Sequence, residues 1–256
     1  MLITVEDLSN FWKVSPKGVI HVGAHNAEER ESYVRAGWGP PFIWIEAQAT
    51  KFEHLRANLP NSDLVIQGAA WSEGNQEISL HVTNNSQSSS VLELHEHRDL
   101  YPEIQVVERE LVQTVRIDEV IPNELELNFL AIDIQGAELE ALKGSVKLLP
   151  KINWIYVEVN KRPIYSGCSL VEEIDVFLEV FGFRRVQTYW VHGSGWGDAI
   201  YCRLDVIPSF FESKPLLRLI RRASYVSRFA RRPHLMLSTQ SRKRFKRCLR
   251  RILKKK

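Results

Sequence analysis

Three carboxylates fall at or near the ends of apolar runs: Glu46 in FIWIEA, Asp133 in LNFLAIDI and Glu158 in INWIYVEV. An acid so placed can accept hydrogen bonds from a polyol or take a proton from a reacting hydroxyl. Ahead of them, Gly23 closes the run GVIHVG and leads into the polar stretch AHNAEE. Open parallel sheets bind ligands beyond the carboxyl ends of their strands. A glycine after the first strand lets backbone approach the ligand, and an acid closing the second accepts both hydroxyls of a ribose. Gly23 and Glu46 together point to a nucleoside-containing cofactor.

What the turn lacks narrows the choice. It reads Gly23-Ala24-His25-Asn26-Ala27, with a single glycine where a pyrophosphate needs GxGxxG, and GxxxxGK[ST] is absent from the chain. S-adenosylmethionine has a ribose and no phosphate, needs less glycine and suits an acidic Glu46. It is the expected cofactor.

The elements that must position these residues alternate. GVIHVG (18–23), FIWIEA (42–47), DLVIQGAA (63–70), LNFLAIDI (127–134) and INWIYVEV (152–159) have the composition of buried parallel strands. Between them AEERESYVRAG, TKFEHLRANL, AELEALKGSVKLL and SLVEEIDVFLEVFG carry apolar residues at helical spacing. Such alternation predicts an α/β, doubly wound, mostly parallel sheet. FRRVQTYWV and DAIYCRL bring it to about seven strands, within the usual range. QEISLHV (76–82) and ERELVQTVRI (108–117) alternate with period two and read as an inserted antiparallel pair around a Ser/Asn-rich loop.

Charge divides the chain. Of its 34 Lys and Arg, 17 lie in residues 214–256, which hold none of the 31 acids. The first 213 residues therefore carry 17 bases against 31 acids, a balance of −14. An acidic body with a basic end implies a binding or catalytic domain with a segment that seeks polyanions. In RKRFKRCLRRILKKK (242–256), Phe245, Cys248, Leu249, Ile252 and Leu253 share one helical face, and PLLRLIRRASYVSRFARRP (215–233) repeats the design. The expected organisation is a body over 1–207 and a basic amphipathic helical tail over 208–256. Three dispersed cysteines, no signal-peptide pattern and no run of 18 apolar residues predict a cytoplasmic chain, with the tail reaching an anionic membrane surface at its inner face.

The residues also carry a family resemblance. VIHVGAHNAEE (19–29) is similar to the first cofactor motif of the FkbM-type methyltransferases, which share the class I S-adenosylmethionine fold. NFLAIDIQGAELEALKGS (128–145) resembles their hallmark, an Asp followed by a polar residue and Gly-Ala-Glu; IYVEV (155–159) resembles the next strand; and NNSQSSSVLELHEH (84–97), with YPEIQVVE after it, resembles a stretch of one branch. The likeness spans roughly residues 15–205. His21 stands where the family often has Asp, and Ala27 where Gly is frequent.

That resemblance implies a cofactor site built from His21, Gly23, Ala24, His25, Asn26, Glu46, Ala47, Ala70, Trp71, Asp133 and Gln135. Gly23, Ala24 and His25 would line the methionine part, whose carboxylate would meet main-chain N–H groups at the start of the first helix. Glu46 would take the ribose, Ala70 and Trp71 the adenine. Asp133 and Gln135 would lie beside the sulfonium. Asp133 and Glu158 are the candidates to orient or deprotonate an acceptor hydroxyl, with His95 and His97 as second choices. Asn85, Ser88, Ser89 and His95, on the polar loop, would contact the acceptor. Glu138 and Glu140 suit the first turn of a helix whatever the function. Trp190, Trp196 and Tyr189 are either a stacking platform for a sugar or core. Two nearby carboxylates could alternatively hold a divalent ion that binds a diol, but no His/Asp cluster at ligand spacing supports a metal.

Two functions of different class remain. One is an O-methyltransferase of glycan biosynthesis or a related route, acting on a sugar, glycolipid, polysaccharide or secondary metabolite. The other is a nucleic-acid-binding protein or RNA methyltransferase that uses the tail. The acidic body and the lack of an aromatic RNA-binding pattern favour the first.

Overall fold

The computed structural model describes residues 1–206. The expected tail, with its two amphipathic helices, lies outside the described residues. In chain order the first half comprises α1 (Val5–Asn10), β1 (Val19–Val22), α2 (Glu29–Arg35), β2 (Phe42–Glu46), α3 (Ala49–Asn58), β3 (Leu64–Gln67), β4 (Ala69–Ala70), β5 (Glu77–Thr83), a 3-10 turn (Ser86–Ser88) and α4 (His97–Leu100). The second comprises β6 (Val106–Val115), α5 (Ile117–Val120), β7 (Phe129–Ile132), α6 (Glu138–Lys143), β8 (Trp154–Asn160), α7 (Val171–Val180), β9 (Phe183–Trp190) and β10 (Trp196–Arg203).

Seven strands form one sheet in the order β3-β2-β1-β7-β8-β10-β9. The first five are parallel, and β10 runs antiparallel to both its neighbours. This is the doubly wound, mostly parallel sheet that the alternating runs predict. Strand order reverses between β1 and β7, and that is where such a sheet opens a crevice. β1, β2, β7 and β8 are buried along their whole length. One face packs Ile20, Ile43, Leu130 and Ile155 against α6 and α7 residues such as Leu142 and Ile174. The other packs Val19, Trp44, Phe129 and Tyr156 against Leu8, Tyr33 and Leu55 of α1, α2 and α3.

DLVIQGAA departs from its expected reading as one buried strand. It is two strands parted by Gly68. β3 is the sheet edge and partly exposed, whereas β4 joins β6 and β5 in a second, three-stranded sheet. At Gly68 a Cβ would come within 2.5 Å of Val115 Cγ1, so only glycine lets the chain cross at this point. The antiparallel pair is present as β5 and β6, with β4 parallel to β6 as an addition. Helix α2 begins at Glu29 rather than Ala27, because His25 (φ 49°) and Ala27 (φ 56°) are left-handed. The short α1 carries too little periodicity to be read from sequence; Thr4 caps it, accepting the Asp7 N–H at 3.1 Å.

Candidate active site

Register places the chemistry. Val22 pairs with Ile132, and Ile132 with Val157. One residue further on, Gly23 and Asp133 stand level with Glu158, and Asp198 of β10 pairs with Glu158. Three carboxylates from three adjacent strands thus form a row beside the first turn. Gly23 (φ 81°) is required there, since a Cβ would meet the Asp133 carbonyl oxygen at 1.9 Å.

A cavity of about 520 Å³ opens over this row, a size typical of small-molecule sites. His21, Gly23, Ala24, His25, Glu46, Ala47, Ala70, Asp133, Gln135 and Glu158 all line it, as do Asn85, Ser88 and Ser89. Asn26, Trp71 and His95 do not. Asn26 is exposed and bonds Glu28 and Lys51. Trp71 follows β4 into the second sheet, where its N–H donates to the Val115 carbonyl. His95 points to solvent, with Nδ1 3.0 Å from the Pro163 carbonyl.

A tight turn presents the acids. Gln135 (φ 56°) and Gly136 (φ 107°) reverse the chain after β7. Glu138, fully buried, holds that turn: its Oε1 accepts the Gly136 N–H at 2.8 Å and the Ile134 N–H at 3.2 Å. The bland reading of Glu138 as a helix-start acid misses this role. Gln135 Nε2 donates to Asp133 Oδ1 and Glu158 Oε2, both at 2.8 Å, while its Oε1 accepts from Tyr165 at 2.6 Å. Burial and the nearby Asp133, Glu138 and Asp198 push the Glu158 carboxyl well above its ordinary range. Asp198 is raised to about 6, first by burial and then by Asp133; it accepts the Tyr156 hydroxyl and the Leu2 N–H.

The first turn differs from expectation in its N–H groups. Those of Gly23 and Ala24 go to the Ile45 carbonyl, that of His25 to Glu46, that of Asn26 to Glu28 and that of Ala27 to the Ala24 carbonyl. The N–H groups of residues 23–27 are thus engaged within the protein. His21, in the position often acidic in the family, is a buried ring stacked on Trp44 and hydrogen-bonded to Tyr33. Burial lowers its pKa, which keeps it neutral.

The Methyltransferase FkbM domain matches residues 21–185 of this chain. The chain belongs to the FkbM methyltransferase family. It is a methyltransferase in fold and in family. No curated protein matches it. Among solved structures it is similar to an S-adenosylmethionine-dependent methyltransferase from Aquifex aeolicus, at 13% identity over 73% of this chain and 82% of that one, TM-score 0.41. It is also similar to TrmK of M. capricolum in complex with S-adenosylhomocysteine (7%, 73% and 62%, 0.43) and to magnesium protoporphyrin IX methyltransferase of Synechocystis with bound S-adenosylmethionine (8%, 72% and 69%, 0.40). The chain spans less than two thirds of the TrmK chain. Likeness at this level does not extend to substrate.

S-adenosylmethionine, the cofactor the family implies, fits the residues present. Glu46 Oε2 accepts from His25 and Oε1 from Gln48, each at 2.8 Å, which uses two of about four acceptor positions and leaves two for a ribose diol. Ala47, Ala69, Ala70 and Leu80 also line the cavity and would supply an apolar wall for adenine without Trp71. The carboxylate row would favour a cation such as a sulfonium. Sequence reasoning missed Asp198, Tyr165 and Tyr156. An acid opening the apolar strand DAIYCRL was the available signal for Asp198.

Proposed function

We propose that this protein is an S-adenosylmethionine-dependent O-methyltransferase whose acceptor is a hydroxyl of a sugar, glycolipid, polysaccharide or secondary metabolite. One observation carries the reading. The cavity joins a carboxylate row to a loop rich in hydroxyl and amide groups, Asn85 to Ser90, and among the described residues its lining includes no Lys or Arg. Such a surface suits a neutral polyol and repels a phosphodiester. The loop is tied to the chemistry, since Ser90 Oγ donates to the Gln135 carbonyl at 2.7 Å.

The bound cofactor supplies an electrophilic methyl group. Asp133 and Glu158, locked together by Gln135, orient the acceptor hydroxyl toward it, and fixed placement of this kind supplies much of the rate of a displacement. Glu158, whose burial favours the protonated form, donates a hydrogen bond; Asp133 accepts one. The tail is proposed, from its sequence alone, to hold the enzyme at an anionic membrane surface where glycolipid acceptors reside. Among the described residues no helix is long and apolar enough to cross a membrane.

The test supplies methyl-labelled S-adenosylmethionine together with glycan, lipid and RNA fractions from host cells. Label in glycan or glycolipid is the expected result. Label in RNA alone would replace this reading with the nucleic-acid one.

A further inference from the structure

His97 opens α4 on the segment joining β5 to β6 and lines the same cavity. It is 4% exposed, and its Nδ1 is buried without a hydrogen-bond partner. A buried imidazole with an unmet nitrogen is costly and calls for an explanation. The ring is firmly held. Its centroid lies 5.1 Å from that of Tyr101 and 5.4 Å from that of Tyr165, and its backbone N–H donates to the Ile164 carbonyl at 3.1 Å. Tyr165 in turn donates to Gln135, which bonds Asp133 and Glu158. Tyr101 accepts from Trp196 Nε1 at 3.1 Å, closing an aromatic lobe beside the carboxylate row.

We propose that His97 is the general base of this enzyme, accepting the proton of the acceptor hydroxyl as the methyl group transfers. The inference rests on reading the cavity as an O-methyltransferase site. The hydroxyl oxygen forms the new bond to the methyl carbon, and the carbon–sulfur bond breaks with its electron pair passing to sulfur, which leaves S-adenosylhomocysteine. The hydroxyl proton goes to the imidazole, which becomes imidazolium and later returns it to solvent. The carboxylate pair is poorly suited to that task. Gln135 already donates to both acids, and burial favours the protonated form of Glu158. Burial lowers the His97 pKa, with Glu103 opposing in part, so the ring is neutral and able to accept. The other groups around it are the Tyr101 and Tyr165 hydroxyls and, behind Tyr165, Glu158 and Asp133; Glu96 of the same segment is paired with Arg162.

Two measurements on the full chain test this. In nitrogen-15 spectra of the complex with S-adenosylhomocysteine, the signal lost in His97→Asn should titrate below the ordinary value of about 6.5. Methyl transfer to the labelled fraction should fall about 10²-fold or more in His97→Asn and His97→Gln, while S-adenosylmethionine affinity stays within about twofold. The acid limb of the wild-type rate profile should vanish with it. Titration above about 7.5, or full transfer activity in either variant, overturns the proposal. A wild-type protein that binds no S-adenosylmethionine overturns instead the reading beneath it. Cofactor binding without label in any hydroxyl-bearing fraction overturns the acceptor class, and the imidazole titration still judges His97.

Discussion

Asp198 on β10 faces Glu158 on β8 in antiparallel register, and both carboxyls are buried. Burial and repulsion from the nearby Asp133 raise both above the ordinary carboxyl range. A methyl donor with a positive sulfur relieves that repulsion. The site is thus built to be more comfortable loaded than empty, and cofactor binding should be linked to proton release. Calorimetry near pH 6 in two buffers of different ionisation enthalpy should show protons released on binding. Equal apparent enthalpies in both would remove the linkage.

The same burial sets a pH dependence of stability. Asp198 is raised from 3.8 to about 6 and Glu138, by burial first, from 4.5 to about 7. A carboxyl whose folded pKa exceeds its unfolded one binds extra protons in the native state. Its contribution is complete below about pH 4 and is lost as pH rises through about 6 to 7, at up to roughly 1.4 kcal/mol per pH unit for each group. Urea unfolding of wild type, Asp198→Asn and Glu138→Gln at pH 5 and pH 7.5 isolates the effect. Each variant should lose less stability than wild type between the two values. Parallel behaviour in all three would show that neither acid is protonated in the fold.

Glu46 tests the cofactor. Hydrogen bonds from a ribose diol to its carboxylate would be charge-assisted, worth roughly 1.5 to 3 kcal/mol. Glu46→Ala should weaken S-adenosylmethionine binding by at least about tenfold. Because the carboxylate also accepts the His25 and Gln48 N–H groups, Glu46→Gln separates turn support from ribose binding: it keeps one acceptor oxygen and loses the charge. Unchanged affinity in both variants removes Glu46 from the cofactor site. Tight binding of NAD in place of S-adenosylmethionine would undo the nucleoside assignment.

Asp133 and Glu158 test the acceptor. Asp133→Asn and Glu158→Gln preserve shape while changing which atoms donate. If these acids orient the hydroxyl, turnover should fall about 10²-fold or more with the fold intact. Glu158→Gln should be the milder, since a protonated carboxyl and an amide both donate. A drop confined to Glu158→Gln would reverse the roles of donor and acceptor.

The parts of the site legible in sequence are those fixed by strand ends. Gly23, Glu46, Asp133 and Glu158 could be placed because parallel strands finish level and their apolar runs mark where. Trp71 could not, since the chain leaves the main sheet at Gly68, and a strand break inside DLVIQGAA changes neither composition nor period. The left-handed backbone of His25 and Ala27 in the first turn was not legible either, since these residue types do not announce that conformation. HEH at 95–97 puts two similar rings on one short segment. Only the docking of that segment on Ile164 decides that His97 is buried while His95 faces water. Asp198 went unread because it opens a strand that turned out to run against the others, bringing its first residues, not its last, to the cavity.

The tail gives the last prediction. Residues 214–256 hold 17 bases and no acid, interleaved with apolar residues at the spacing of one helical face. A helix formed on that pattern would settle in a membrane interface, its apolar side among acyl chains and each basic residue adding about 1 kcal/mol near anionic lipid. The alternative is capture by the acidic body or by RNA. The full-length protein should sediment with phosphatidylserine-containing vesicles at low salt, and release should grow as salt screens the attraction. A chain ending at Phe211 should stay in the supernatant yet bind S-adenosylmethionine, because every described residue lining the cavity lies at or before Asp198. Equal sedimentation of both forms would place the lipid contact on the body, and sedimentation of neither would end the membrane reading. Preferential binding of total RNA over vesicles by the full chain alone would assign the tail to nucleic acid, and the acceptor would then be sought there.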